Sequence, residues 1–132
     1  MIDTAKWAPC ALTLLRVITA LLFLEHATMK FLQFPAPILG VPYPLPTIML
    51  AAGAIEVVTG LLMTVGLFTR IAAFIASGEM AAAYFMAHAP QGFFPAVNMG
   101  EPAILFCFIF LYLAFAGGGA FALDNARRSA AD

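Results

Sequence analysis

Apolar residues dominate four long runs of this chain, at approximately residues 9–31, 46–67, 70–88 and 100–121. A helix rises about 1.5 Å per residue and a membrane span needs roughly 20 residues, so each run is read as one crossing. Residues 34–46 and 90–100 are rich in proline, glycine and aromatic residues. Proline cannot continue a helix and pushes its predecessor to extended conformations, so these stretches are loops. The tight turn at residues 66–70 joins the second and third runs. An open sheet would leave edge groups without partners in lipid, and the runs are too long for barrel strands. The pattern therefore predicts an all-α fold: an integral membrane four-helix bundle, up-down-up-down, forming a single domain over residues 1–132.

Polar positions near the run ends set an orientation. Lys6, Arg70, Arg127 and Arg128 fall on one side, and the other side keeps only Lys30. Basic residues mark the cytoplasmic face, so both termini are expected to be cytoplasmic. Lys6 ahead of an apolar run is also how a secretory signal begins. Here the run is long and lacks a small-residue cleavage pattern, so it reads as a retained anchor.

Composition sharpens the class. The chain of 132 residues is 64% hydrophobic and 10% charged, with a mean hydropathy of +0.99. Soluble domains run nearer to about 45–50% apolar and about 25% charged. A net charge of −1 speaks against a nucleic-acid partner, which needs a basic patch. Thirteen phenylalanines suit a lipid-facing surface. Cys10 and Cys107 are expected on different levels of the membrane, too far apart for the roughly 7 Å that a disulfide allows.

Ionisable residues inside the runs are the informative exceptions, because a charge near the midplane costs about 2.5–3.5 kcal/mol on insertion scales. Arg16, Glu25, His26 and Lys30 lie in the first run, Glu56 in the second, Glu79 and His88 in the third, and Glu101 opens the fourth. Counting helical rise from the inner surface places Arg16 at about 9 Å, Glu79 near 14 Å and Glu56 near 16 Å. These three form an expected inner buried charge network, with Arg16–Glu56 as its central pair. Glu25, His26, Lys30, His88 and Glu101 gather at about 22–30 Å as an outer, candidate cofactor-binding cluster. Lys30 also fits a snorkelling end residue. Met49, Gly53, Glu56, Gly60 and Met63 make one stripe whose glycines invite a close helix crossing. Arg70 and His88 share one face of the third helix and Glu79 the opposite one, which argues for a homo-oligomer.

These residues resemble a known family. Leu15-Arg16 followed by Glu25-His26-Ala27-Thr28-Met29-Lys30-Phe31 is similar to the first helix of DoxX-type membrane proteins, with Ala27 where glycine is usual. Glu56-Val57-Val58-Thr59-Gly60, the turn Gly66-Leu67-Phe68-Thr69-Arg70, and the glycine-rich exit from Gly117 to Leu123-Asp124 match the later parts of the pattern. The resemblance implies a four-helix bacterial inner-membrane protein, multi-pass, tied to redox chemistry. The family's name derives from a subunit of a thiosulfate:quinone oxidoreductase, and relatives associate with thiol-redox proteins.

Three functions follow as expectations. The first is a membrane subunit of a quinone- or thiol-linked redox system, working with peripheral redox proteins; no catalytic residue is assigned. There His26, His88 and Lys30 would donate to quinone carbonyls, and the buried carboxyls would carry protons. The second is a haem- or metal-binding protein using His26 and His88. The third is a small transporter or a membrane anchor for peripheral partners. The chain has no Cys-x-x-Cys pair and no iron–sulfur cysteine set.

Overall fold

A computed structural model describes residues 3–130, and every element among them is helical. In chain order they are α1 (Thr4–Leu32), α2 (Thr47–Val65), α3 (Thr69–Ala83), α4 (Pro95–Asn98), α5 (Glu101–Ala116) and α6 (Leu123–Ser129). A π-helical turn, Tyr84–His88, and a 3-10 turn, Ala89–Gln91, prolong α3. Three helical stretches, Thr4–Leu32, Thr47–Val65 and Thr69–Gln91, are long and apolar enough to cross a membrane; Glu101–Ala116 is apolar but shorter.

Two bounds differ from expectation for local reasons. α1 begins five residues before Pro9 and carries that proline inside it. At 29 residues it is about 43 Å long, well beyond the roughly 30 Å hydrocarbon core. α5 ends at Ala116 rather than near Phe121, because Gly117 and Gly119 take left-handed backbone (φ 87° and 82°). The chain then folds back against the start of α1, where the Ala120 amide donates to the Pro9 carbonyl at 3.1 Å.

Packing is inverted relative to a soluble protein. The interior holds small residues (Ala20, Ala72, Ala73, Ala76) around Phe23, Met63, Phe110 and Leu113, with Phe23 edge-on to Phe110 at 4.8 Å. Large apolar side chains face outward instead: Leu14 and Ile18 on α1, Val58 and Leu61 on α2, Phe74 on α3, and Phe108, Tyr112 and Phe115 on α5. Lipid tails are as apolar as leucine, so membrane helices gain from close backbone approach and internal polar contacts. Gly53 and Gly60 supply that approach: a Cβ on either would lie 2.7 Å from Phe31 or Leu24 of α1. Gly53 meets Lys30 and Phe31, Gly60 meets Leu24, and Gly66 meets Arg16, so α1 and α2 run antiparallel. α3 sits between α2 and α5, while α1 and α5 touch only lightly.

Candidate functional site

The antiparallel offset of α1 and α2 decides which buried charges meet. Lys30 Nζ lies 2.5 Å from Glu56 Oε1 and 2.7 Å from Oε2, a forked ion pair. Both side chains are buried, at 9% and 2% exposure. Gly53, one turn from Glu56, makes room for the lysine stem, whose Cδ would be 3.1 Å from a Cβ at that position. Lys30 therefore turns inward rather than snorkelling to the surface. Glu79 of α3 stands within electrostatic reach of this pair, and His26 within reach of Glu56. Both Glu79 carboxyl oxygens are buried without a hydrogen-bond partner.

The expected Arg16–Glu56 pair does not form. Gly66, at the end of α2, is the residue level with Arg16, and Glu56 lies ten residues, roughly 15 Å, further along that helix. Arg16, 1% exposed, instead donates to backbone carbonyls. Its Nη1 bonds Met63 and Thr64 (2.8 Å to the latter), its Nε bonds Gly118 at 2.8 Å and its Nη2 bonds Phe121 at 2.5 Å. Met63 and Thr64 sit in the last turn of α2, where a cation is favourable; the Met63 carbonyl accepts the Gly66 amide as well. Arg16 thus ties α1 to the end of α2 and to the glycine-rich exit of α5.

Two further contacts fasten the same end. Asp124 accepts the amides of Phe68 (2.7 Å) and Thr69 (2.9 Å) at the start of α3. Partial burial pushes the Asp124 carboxyl up, but the Thr69 and Phe68 amides and the Arg127 charge outweigh this and hold it below the usual carboxylate range. Arg70 donates to the carbonyls of Ala114 (3.1 Å) and Phe115 at the end of α5.

The outer residues do not assemble into one cluster. Glu25 and Glu101 are exposed. His88 Nδ1 donates to the Asn98 carbonyl at 3.0 Å and its ring stacks on Tyr84, within a loop lock built on buried Asn98. His26 lies on α1 with its ring edge-on to Phe106 of α5 at 5.5 Å. Equal depth brought these residues to one level, but their directions around the helix axes differ. Among the described residues no group of three or more His, Cys, Asp or Glu side chains comes together as metal ligands would. Glu79 lies within electrostatic reach of the Lys30–Glu56 pair, while Arg70 bonds the end of α5 and His88 bonds Asn98.

Phe106, against which His26 packs, lines a feature that sequence reading missed. A shallow apolar groove of about 280 Å³ runs between α1 and α5, lined by Thr19, Leu22, Pro102, Leu105, Phe106 and Ile109. No sequence motif marks it, because it arises from the light contact of two helices that are distant in the chain. Asn98 and Asp124 were also given no role by the sequence; only the Leu123-Asp124 match to a family pattern pointed to the latter.

The comparisons with known proteins agree with this architecture. The DoxX family model matches residues 11–89, more than half of the chain. An uncharacterized protein of Haemophilus influenzae is 48% identical over 132 aligned positions, covering 95% of this chain and 96% of the relative. No solved structure matches significantly. With the apolar helices, the inverted packing and this match, the chain is a multi-pass membrane protein and belongs to the DoxX family.

Proposed function

We propose that this protein is the quinone-binding membrane subunit of a redox system of the bacterial inner membrane, and that peripheral thiol- or sulfur-oxidising partners supply its electrons. Its helices would run up-down-up-down, with both termini and the Arg16–Asp124 end cytoplasmic, as the bias of Lys6, Arg70, Arg127 and Arg128 favours. The observation that carries the functional reading is the α1/α5 groove, whose Phe106 wall packs against His26. A quinone ring needs an apolar slot and a polar group at its edge. The groove is near the lower size of ligand sites, about 300 Å³, which suits a ring whose tail stays in lipid.

Thr19, Leu22, Leu105, Phe106 and Ile109 would hold the ring, and Phe106 would give it an aromatic face. His26 Nδ1 lies 3.2 Å from the Leu22 carbonyl. A carbonyl only accepts, so Nδ1 carries the proton and Nε2 is left as the acceptor of a neutral ring. Nε2 is then suited to a quinol hydroxyl, and a protonated ring to a quinone carbonyl. The quinone supplies two-electron, two-proton chemistry when bound; the chain's part is to orient it and to hold a proton at His26.

Titration of the detergent-purified protein with a short-tailed ubiquinone analogue tests this. Saturable binding is expected, with His26→Ala weakening it about tenfold, the worth of one hydrogen bond. Absence of saturable binding, or identical affinity in His26→Ala, overturns the proposal. Compartment reporters fused to each end should both report the cytoplasm.

A further inference from the structure

Three ionisable groups meet inside the bundle, and only two of them neutralise each other. Lys30 is fully engaged, with its ammonium on both oxygens of Glu56. Glu79 has neither a counter-charge of its own nor a hydrogen bond to either carboxyl oxygen, although both oxygens are buried. The charged groups within electrostatic reach of it are Glu56 from α2 and Lys30 from α1, and His26 of α1 is in turn within reach of Glu56. From α5, Cys107 contacts the Ser77 hydroxyl, which lies two residues before Glu79 and so on the other side of α3. Gly78, the chain neighbour of Glu79, presents no side chain and has open space beside it. Among the described residues no group hydrogen-bonds the Glu79 carboxyl, and the charged groups near it are a pair that is already neutral.

We propose that Glu79 is a proton-binding site, and that Lys30, Glu56 and Glu79 form a three-group unit holding one proton beyond that of the ammonium. With Glu79 as the neutral acid, the unit carries zero net charge: one ammonium, one carboxylate, one carboxylic acid. With Glu79 ionised it would carry −1 in a hydrocarbon-walled interior, where an unpaired charge is costly enough that a group takes up a proton instead. The ligand of this site is a proton, held by the carboxyl itself. Its proton can pass to Glu56 only if the lysine pairing moves to Glu79 in exchange, so the total charge stays fixed while the proton's position changes. His26, beside the groove wall at Phe106, lies within electrostatic reach of Glu56, so the charge on that imidazole bears on the unit without being part of it.

Charge balance makes the proposal countable. Infrared spectroscopy of the full-length protein in lipid nanodiscs at pH 7 reads the carbonyl stretch of protonated carboxyl groups, identified by its shift in heavy water. The natural chain should show one such carboxyl. Glu79→Gln, nearly isosteric and neutral, should lose the band. Lys30→Met removes the cation, so both carboxyls should become neutral and the band should double. Glu56→Gln leaves Glu79 as the only counter-ion for Lys30, and the band should vanish. Absence of the band from the natural chain, or an unchanged band in Glu79→Gln, overturns the proposal. Should Glu79→Gln not fold, Lys30→Met decides on its own: a doubled band supports the three-group unit and an unchanged one refutes it.

Discussion

Removing Arg16 should be among the costliest single polar truncations of the bundle, and the structure indicates how much. Its guanidinium makes hydrogen bonds to four carbonyls, those of Met63, Thr64, Gly118 and Phe121, from a position 1% exposed. A hydrogen bond involving a charged group contributes about 1.5–3 kcal/mol, and a buried acceptor left without a donor costs about 1–3 kcal/mol. The four terms share one side chain and cannot be added. Water at the membrane end can also reach some of the carbonyls once the side chain is gone. An overall cost of about 3–5 kcal/mol for Arg16→Ala follows, at the upper end of single substitutions. Lysine keeps the charge but lacks the rigid five-donor fork that spans separated acceptors, so Arg16→Lys should recover only about half of that loss. Equilibrium unfolding in mixed micelles measures both. The reasoning fails if Arg16→Ala falls within about 1 kcal/mol of the natural chain, the level of an ordinary substitution. Equal stability of Arg16→Lys and the natural chain would show that charge alone, rather than the fork, fastens this end.

Other substitutions probe separate contacts. Gly119 takes φ 82°, and a Cβ there would meet the Pro9 carbonyl and the Thr13 amide at 2.7 Å. Gly119→Ala should therefore destabilise by about 2–3 kcal/mol, whereas Gly78→Ala, on an open helix face, should gain about 0.5–1 kcal/mol; the same unfolding assay compares them. Lys30→Met leaves Glu56 without its partner and should cost about 3–5 kcal/mol, while pairing it with Glu56→Leu should restore most of the loss; failure of the double variant to recover would show that the pair is not what matters. Asp124 is held below the usual carboxylate range in the folded protein. Its contribution is thus complete above the ordinary value near about 4 and is lost as pH falls through the depressed one. Unfolding measured from pH 7 down to pH 3 should show Asp124→Asn to be less stable at pH 7 and to converge with the natural chain at the acid end.

How much of this could be read from residues alone depends on whether the property is local. Helices, loops and membrane class follow from hydropathy and proline placement, which each segment carries by itself, and the Arg16, Glu56 and Leu123-Asp124 positions sufficed to recognise the family. Pairing is not local. Depth counted along α1 and along α2 says nothing about the axial offset between them: the first turns of α1 overhang the end of α2, and Arg16 comes level with Gly66. Arg16 also bonds backbone carbonyls, which every residue possesses and which leave no mark in a sequence. Lys30 shows the converse: its place near a helix end suggests an outward lysine, and only the missing side chain at Gly53 lets its stem lie inward along α2. The glycine stripe was visible as a close crossing, but it is the chemistry of what enters that space, an ammonium rather than a guanidinium, that gives Glu56 its partner and leaves Glu79 without one.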